Sequence, residues 1–215
     1  MSVPASALLA EIWWPLASLG EALEALGRAH GLTTASAVSG DWPTDTVDPE
    51  GWLEWAAGCL GIEAEPVSAQ VRDLRTFLSH GGPALIRLNR EGRDGFLALD
   101  GSRRHDTVFL CHSGRRQSVP AGIVIGLLTR RLVDGLHPEV SRVLDAAGIA
   151  AARQARVASA MIGERIGGEE IEGIFLLRLP ASADFIRQFR RAGLPLRLVQ
   201  VIGLFVLLYG AELWG

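Results

Sequence analysis

Apolar positions near the start of the chain recur at helical spacing. Leu16, Leu19, Leu23 and Leu26 share a face with Glu21, Glu24 and Arg28 between them, which predicts an amphipathic helix from Leu16 to His30, closed by Gly31. Thr33 to Thr46 is rich in Ser, Thr, Gly and Asp around Pro43 and reads as loop. Asp48 then suits an N-cap, Pro49 the first helical position and Glu50 the first turn, with Trp52, Trp55, Ala56 and Cys59 on one face and Gly61 at the end. Val67 to Leu78 reads as a further short helix, with Val71, Leu74, Phe77 and Leu78 inward and Arg72, Asp73 and Arg75 outward. His80, Gly81, Gly82 and Pro83 stop it.

The period then changes. Ala84 to Leu88, Gly95 to Leu99 and Thr107 to Cys111 are short aliphatic and aromatic runs separated by charged, turn-forming stretches, the pattern of an antiparallel meander. Gly122 to Leu132 returns to helical spacing through Ile123, Val124, Leu127, Leu128 and Leu132. The fold class expected is therefore α+β. Val140 to Ile166 is rich in Ala and Arg and reads as one interrupted or two successive helices forming a connector, and Ile171 to Leu179 reads as a strand bounded by Pro180.

The C-terminal segment carries the strongest patterning. Ser182 or Asp184 can cap a helix that gathers Phe185, Ile186 and Phe189 on one face and turns Arg187, Arg190 and Arg191 away, as an interfacial helix does; Gly193 and Pro195 break it. Leu196 to Trp214 is then about 19 residues of mostly apolar helix, about 28 Å long against a hydrocarbon core of about 30 Å. Arg197 can snorkel at its entrance, and Tyr209 and Trp214 suit the far interface. Arginines before the segment orient it with everything preceding it in the cytoplasm. A buried helix of a soluble domain stays open as the other reading, because Arg197, Gln200 and Glu212 interrupt the run. A chain stopping at Gly215, one residue past the run, suggests a piece of a longer membrane protein.

Composition narrows the chemistry. At 215 residues with 48% hydrophobic, 21% charged and a net charge of -3, the chain is ordinary globular protein and not a disordered or nucleic-acid-binding tail. All 21 basic residues are arginine, which removes Schiff-base catalysis and the lysine of a phosphate-binding P-loop. Two cysteines, Cys59 and Cys111, are too few for a disulfide framework or a cysteine-rich zinc site. Cys59 falls at the C-terminal end of its helix, where the dipole opposes a thiolate, and on the face of Trp52 and Trp55, so it reads as a core thiol. Cys111 and His112 point to opposite faces of a strand and cannot act on each other, and Cys111 reads as core or edge. His80, His105 and His112 lie around the sheet without metal-ligand spacing, and no metal site is expected. The doublets Arg103 with Arg104, Arg115 with Arg116 and Arg130 with Arg131 read as solvated turns, or as a patch for an acidic leader peptide or anionic headgroups. Trp13, Trp14, Trp42, Trp52 and Trp55 read as core or loop anchors, with an exposed Trp13 and Trp14 pair as a conceivable docking surface.

The layout of a soluble α+β domain, an arginine-rich elbow and a first membrane span resembles the N-terminus of bacterial peptide-exporting ABC transporters that begin with a bacteriocin-processing cysteine peptidase domain. Gly51 to Val67 resembles the family's helix leading into a Leu-Gly-Leu turn, here Leu60, Gly61 and Ile62. Gly82, Pro83, Ala84, Leu85, Ile86, Arg87 and Leu88 are similar to its strand before the catalytic histidine. The following His-Phe-Val-Val-Leu type strand corresponds to Gly95, Phe96, Leu97, Ala98 and Leu99, so Gly95 stands in the histidine's place. Val108 to His112 is similar to the strand ending in Asp-Pro, which puts Cys111 and His112 where the acidic dipeptide would be. No cysteine precedes Cys59, so the nucleophile position is also lost. The likeness runs from about Gly51 to Leu132, and the first fifty residues match poorly.

What the resemblance implies is a degenerate, papain-like peptidase domain over 1–135, a helical connector over 136–181, an amphipathic elbow over 182–193 and the first transmembrane helix from 194 to 215. The chain would have no catalytic, cofactor or metal residues of its own. ATP and Mg would belong to a downstream region, and the full-length protein would be an inner-membrane homodimer that engages peptide or protein cargo without cleaving it and binds no nucleic acid. Two other classes remain: a cysteine hydrolase using Cys59 or Cys111 with a nearby histidine, and a soluble or membrane-anchored regulatory or adaptor domain.

Overall fold

A computed structural model of the chain describes residues 5–33, 49–90, 92–103 and 106–180. The described chain begins with α1 (Ala5–Ile12), a short strand β1 (Trp13–Pro15) that enters α2 (Leu19–Ala29) through a 3-10 turn, and α3 (Pro49–Cys59). There follow β2 (Glu63–Gln70), α4 (Leu74–His80), β3 (Ala84–Arg90), β4 (Arg93–Arg103), β5 (Asp106–Leu110) and β6 (Arg116–Pro120). The chain ends its described part with α5 (Ala121–Leu128), α6 (Arg130–Ala146), α7 (Ala151–Ile166) and β7 (Glu170–Arg178).

The sheet is antiparallel throughout, in the order β2, β7, β3, β4, β5, β6, with β1 pairing to β4. Side chains alternate across it. Leu85, Phe96, Ala98, Leu110 and Phe175 face the core formed with α2 and α3, while Ala84, Ile86, Leu97, Leu99 and Ile174 face the core formed with α1, α4 and α5. Because both faces are covered, the central strands read as continuous apolar runs, which is why β3 and β4 were visible in the sequence. The α+β class with an antiparallel sheet is thus observed.

Several local expectations change. Residues 67–70 are strand, not helix: Val67 and Ala69 turn inward while Pro66 and Ser68 turn out, a period of two, and the strand pairs with β7. Helix begins only after a 3-10 turn over Val71–Asp73. On α3 the buried stripe is Trp52, Leu53, Ala56 and Ala57, continued by Leu60, so Trp55 is 56% exposed and Cys59 is exposed rather than in the core. The helix expected from Gly122 to Leu132 divides at Thr129, whose Oγ1 donates to the Ile125 carbonyl at 2.8 Å between α5 and α6. β6 was not anticipated, since Val119 is its only buried residue.

Residues 136–181 are more than a spacer. α6 and α7 form a hairpin around Val140, Leu144, Ile162 and Ile166, and β7 lies between β2 and β3 in the sheet. One compact unit accordingly runs from Met1 to Arg178, and a second comprises Leu179 to Gly215. The expected loop at 34–46, the elbow at 182–193 and the segment Leu196 to Trp214 lie outside the described residues. Among the described residues no helix is long and apolar enough to cross a membrane.

Candidate functional site

Pairing of β1 with β4 sets Pro15 opposite Gly95 and Trp14 opposite Phe96. At that crossing Gly95 is covered. A Cβ added there would come within 2.5 Å of the Trp13 indole, at Cε2 and Nε1, and closer still to the Trp14 carbonyl oxygen. Only glycine permits this approach of backbone and indole. Trp14 is 2% exposed, donates Nε1–H to the Leu110 carbonyl at 2.8 Å and stacks on His112 with ring centroids 3.9 Å apart. Its partner indole differs: Trp13 Nε1 is buried and has no hydrogen-bond partner among the described residues. The two tryptophans are therefore not an exposed pair.

The strand end completes the cluster. Cys111 is buried at a tight turn in which its N–H donates to the Arg115 carbonyl and its carbonyl accepts from Gly114 N–H. Burial pushes its thiol up, with the Glu11 charge adding to this and Arg115 opposing it, so Cys111 is held as a neutral thiol. His112 next to it is exposed and faces Trp14. The fold thus brings Trp13, Trp14, Gly95, Cys111 and His112 into one locus. It contains no exposed nucleophile. Cys59 is exposed at the end of α3, and among the described residues its thiol has no hydrogen-bond or ion-pair partner.

His80 and His30 are engaged elsewhere. His80 Nδ1 bonds the Thr76 carbonyl within α4, and His105 lies outside the described residues. His30, not singled out in the sequence, contacts Asp100 Oδ1 through Nε2 at 3.0 Å, and Arg116 Nε donates to Asp100 Oδ2 at 2.7 Å. This chain of three ties the end of α2 to β4 and β6. Its members come from distant parts of the sequence, so no motif could reveal it. Among the described residues no group of His, Cys, Asp and Glu could hold a metal.

A groove of about 990 Å³ lies at another place, where the β3–β4 turn, the α5–α6 junction and the start of β7 meet Leu9 and Glu50. Leu9, Leu88, Leu127, Leu128, Leu132 and Ile171 supply its apolar lining. The charged lining is five carboxylates, Glu50, Asp94, Asp134, Glu170 and Glu172, against three guanidinium groups, Arg87, Arg130 and Arg131. Asp94 is engaged by Asn89 Nδ2 at 2.7 Å and Arg87 Nη2 at 2.9 Å. The Asn89 hydrogen bond above all holds its carboxyl below the usual value, against the pull of burial, with Arg87 and then Arg131 adding. A bulge in β7 shapes the wall: the register with β2 slips between Val67 and Ala69, and Gly173 has φ +76°, where a Cβ would fall 2.9 Å from Arg87 Cβ.

The arginine doublets do not form one patch. Arg103 and Arg116 line a separate hollow of about 280 Å³ in which Arg116 is committed to Asp100, whereas Arg130 and Arg131 border the larger groove. Arg104 lies outside the described residues. Comparison of the chain with protein-family models, curated proteins and solved structures finds no match.

Proposed function

We propose that this chain is the N-terminal cytoplasmic module and first membrane segment of an ABC-type peptide or protein exporter, built on a catalytically silent, papain-like peptidase domain that engages cargo without cutting it. The observation that carries the reading is the locus around Gly95. The positions that correspond, by resemblance, to the histidine and acidic dipeptide of the peptidases are neighbours here, beside the entrance to α2. They hold a glycine pressed under an indole, a buried neutral thiol and a histidine stacked on Trp14. A thiol peptidase needs an accessible thiolate within reach of a general base. Cys111, at this locus, does not meet that need, because it is buried and burial pushes its thiol up.

In this proposal 182–193 forms the elbow, 194–215 the first span at the inner membrane, and the full protein is a homodimer whose ATP- and Mg-binding region lies beyond residue 215. The test is incubation of the chain with leader peptides of such exporters' cargo, followed by mass spectrometry of the products. Intact peptides are expected. Cleavage that disappears in Cys59→Ala or in Cys111→Ala would replace the proposal with a cysteine hydrolase.

A further inference from the structure

We infer that the groove between the β3–β4 turn, the α5–α6 junction and the start of β7 docks a basic, amphipathic peptide segment of another protein. The inference deepens the proposed function and rests on its reading that the domain engages peptide. Two features of the groove lead to it, one apolar and one electrostatic.

α5 carries no charged or polar side chain from Ala121 to Leu128, yet Ile123, Ile125, Leu127 and Leu128 are only half buried. A fully aliphatic helix left partly open beside a cavity of about 990 Å³ offers apolar contact to something else. Leu127 and Leu128 continue that surface into the groove. The cavity is at the upper end of the range for ligand pockets, about 300–1,000 Å³, and admits several side chains at once.

Charge then selects among peptides. Arg87 and Arg130 are taken up by Asp94 and Asp134 inside the lining, at 2.9 Å and 3.6 Å, and Arg131 is the lining cation without an ion pair among the described residues. Glu170 and Glu172 are two residues apart on β7, both exposed, and among the described residues neither has an ion pair; Glu170 accepts only from Ser68 Oγ. Two carboxylates without an ion pair against the single guanidinium of Arg131 leave the wall built from β7 net negative beside an aliphatic floor. An acidic segment would meet like charge there, whereas a segment alternating Arg or Lys with Leu or Ile would satisfy both.

The test uses the full 215-residue chain in a neutral detergent and fluorescence anisotropy with short labelled peptides of three kinds: Leu/Arg amphipathic, the same with Ser for Leu, and Leu/Glu amphipathic. The Leu/Arg peptide is expected to bind, about tenfold more weakly in Glu170→Arg with Glu172→Arg, and the Ser version about tenfold more weakly to the unaltered chain. Glu170→Gln with Glu172→Gln should give an intermediate loss, and unchanged thermal melts establish that both variants fold. Equal binding of the Leu/Arg and Leu/Glu peptides, or affinity insensitive to charge reversal, overturns the docking site while leaving peptide engagement elsewhere on the domain intact. Failure of all three peptides to bind overturns the groove and removes support from the cargo reading together.

Discussion

Replacing Gly95 by alanine adds one methyl group at the tightest crossing in the described fold. The new Cβ would overlap both the Trp13 indole and the Trp14 carbonyl oxygen. An indole can rotate, but a backbone carbonyl in a paired strand can move only if β1 leaves β4. Overpacking of this kind costs about 1–3 kcal/mol where side chains can adjust, and the backbone contact puts Gly95→Ala at the upper end, near 3 kcal/mol. For a domain of this size that lowers the midpoint of thermal unfolding by about 6–12 °C. It lowers the urea midpoint by about 1–1.5 M if m is near 2–3 kcal/mol/M. Far-ultraviolet circular dichroism is the suitable signal, because the fluorescence of Trp13 and Trp14 would change for local reasons. In a double-mutant cycle Gly95→Ala should cost less in a Trp13→Ala background than in the parent but should still cost stability, since the carbonyl contact remains. A Gly95→Ala chain within about 0.5 kcal/mol of the parent, or no cost of Gly95→Ala in the Trp13→Ala background, would refute the close backbone approach and with it the account of what position 95 can carry.

The two tryptophans should respond differently to the same change. Trp14→Phe loses the buried bond to the Leu110 carbonyl and part of the stack on His112, about 1–3 kcal/mol, whereas Trp13→Phe removes an N–H with no partner among the described residues and should cost less than about 1 kcal/mol; equal losses in urea titrations would contradict the assignment. A thiol reagent at neutral pH should label Cys59 rapidly in the folded chain and Cys111 only on unfolding, so Cys59→Ser should abolish the fast phase; rapid labelling of Cys111 would contradict its burial. Asp94 has a folded pKa below its ordinary 3.8, so its contribution to stability is present above that value and is lost as pH falls through the lower, folded one. With a side chain about one-third exposed, the effect after solvent screening should be under about 1 kcal/mol, and Asp94→Asn should flatten the acid limb of the stability curve below about pH 4. An unchanged acid limb would assign that limb to other carboxylates.

Legibility in the sequence followed the amount of apolar cover. Leu85, Ile86 and Phe96 to Leu99 are enclosed from both sides, so their runs stand out as strands, and the Leu19, Leu23 and Leu26 spacing marks α2 equally clearly. β2 does not announce itself because its inward residues are small, Ala64 and Ala69, and because Val71 and Leu74 continue Val67 at a spacing that fits a helix as well. Its partner decides the matter: β7 pairs across a separation of about a hundred residues, and no local window contains both strands.

The candidate site divides along the same line. Gly95, Cys111 and His112 could be set against a peptidase pattern by sequence alone, but what occupies the space above Gly95 depends on β1, a strand of three residues with no hydrophobic period to announce it. Cys59 lies outside the core for a related reason: the spacing that sets Trp52 and Trp55 on one face does not match the stripe the helix buries, which is Trp52 with Leu53 and Ala57. The groove was beyond reach because its walls come from β3, α6 and β7. The hairpin of α6 and α7 returns the chain to the sheet between β2 and β3, and only that return sets the carboxylates of Glu170 and Glu172 beside Leu127 and Leu128. A segment that reads as a connector in one dimension therefore builds, in three, both a central strand and the wall that gives the groove its charge.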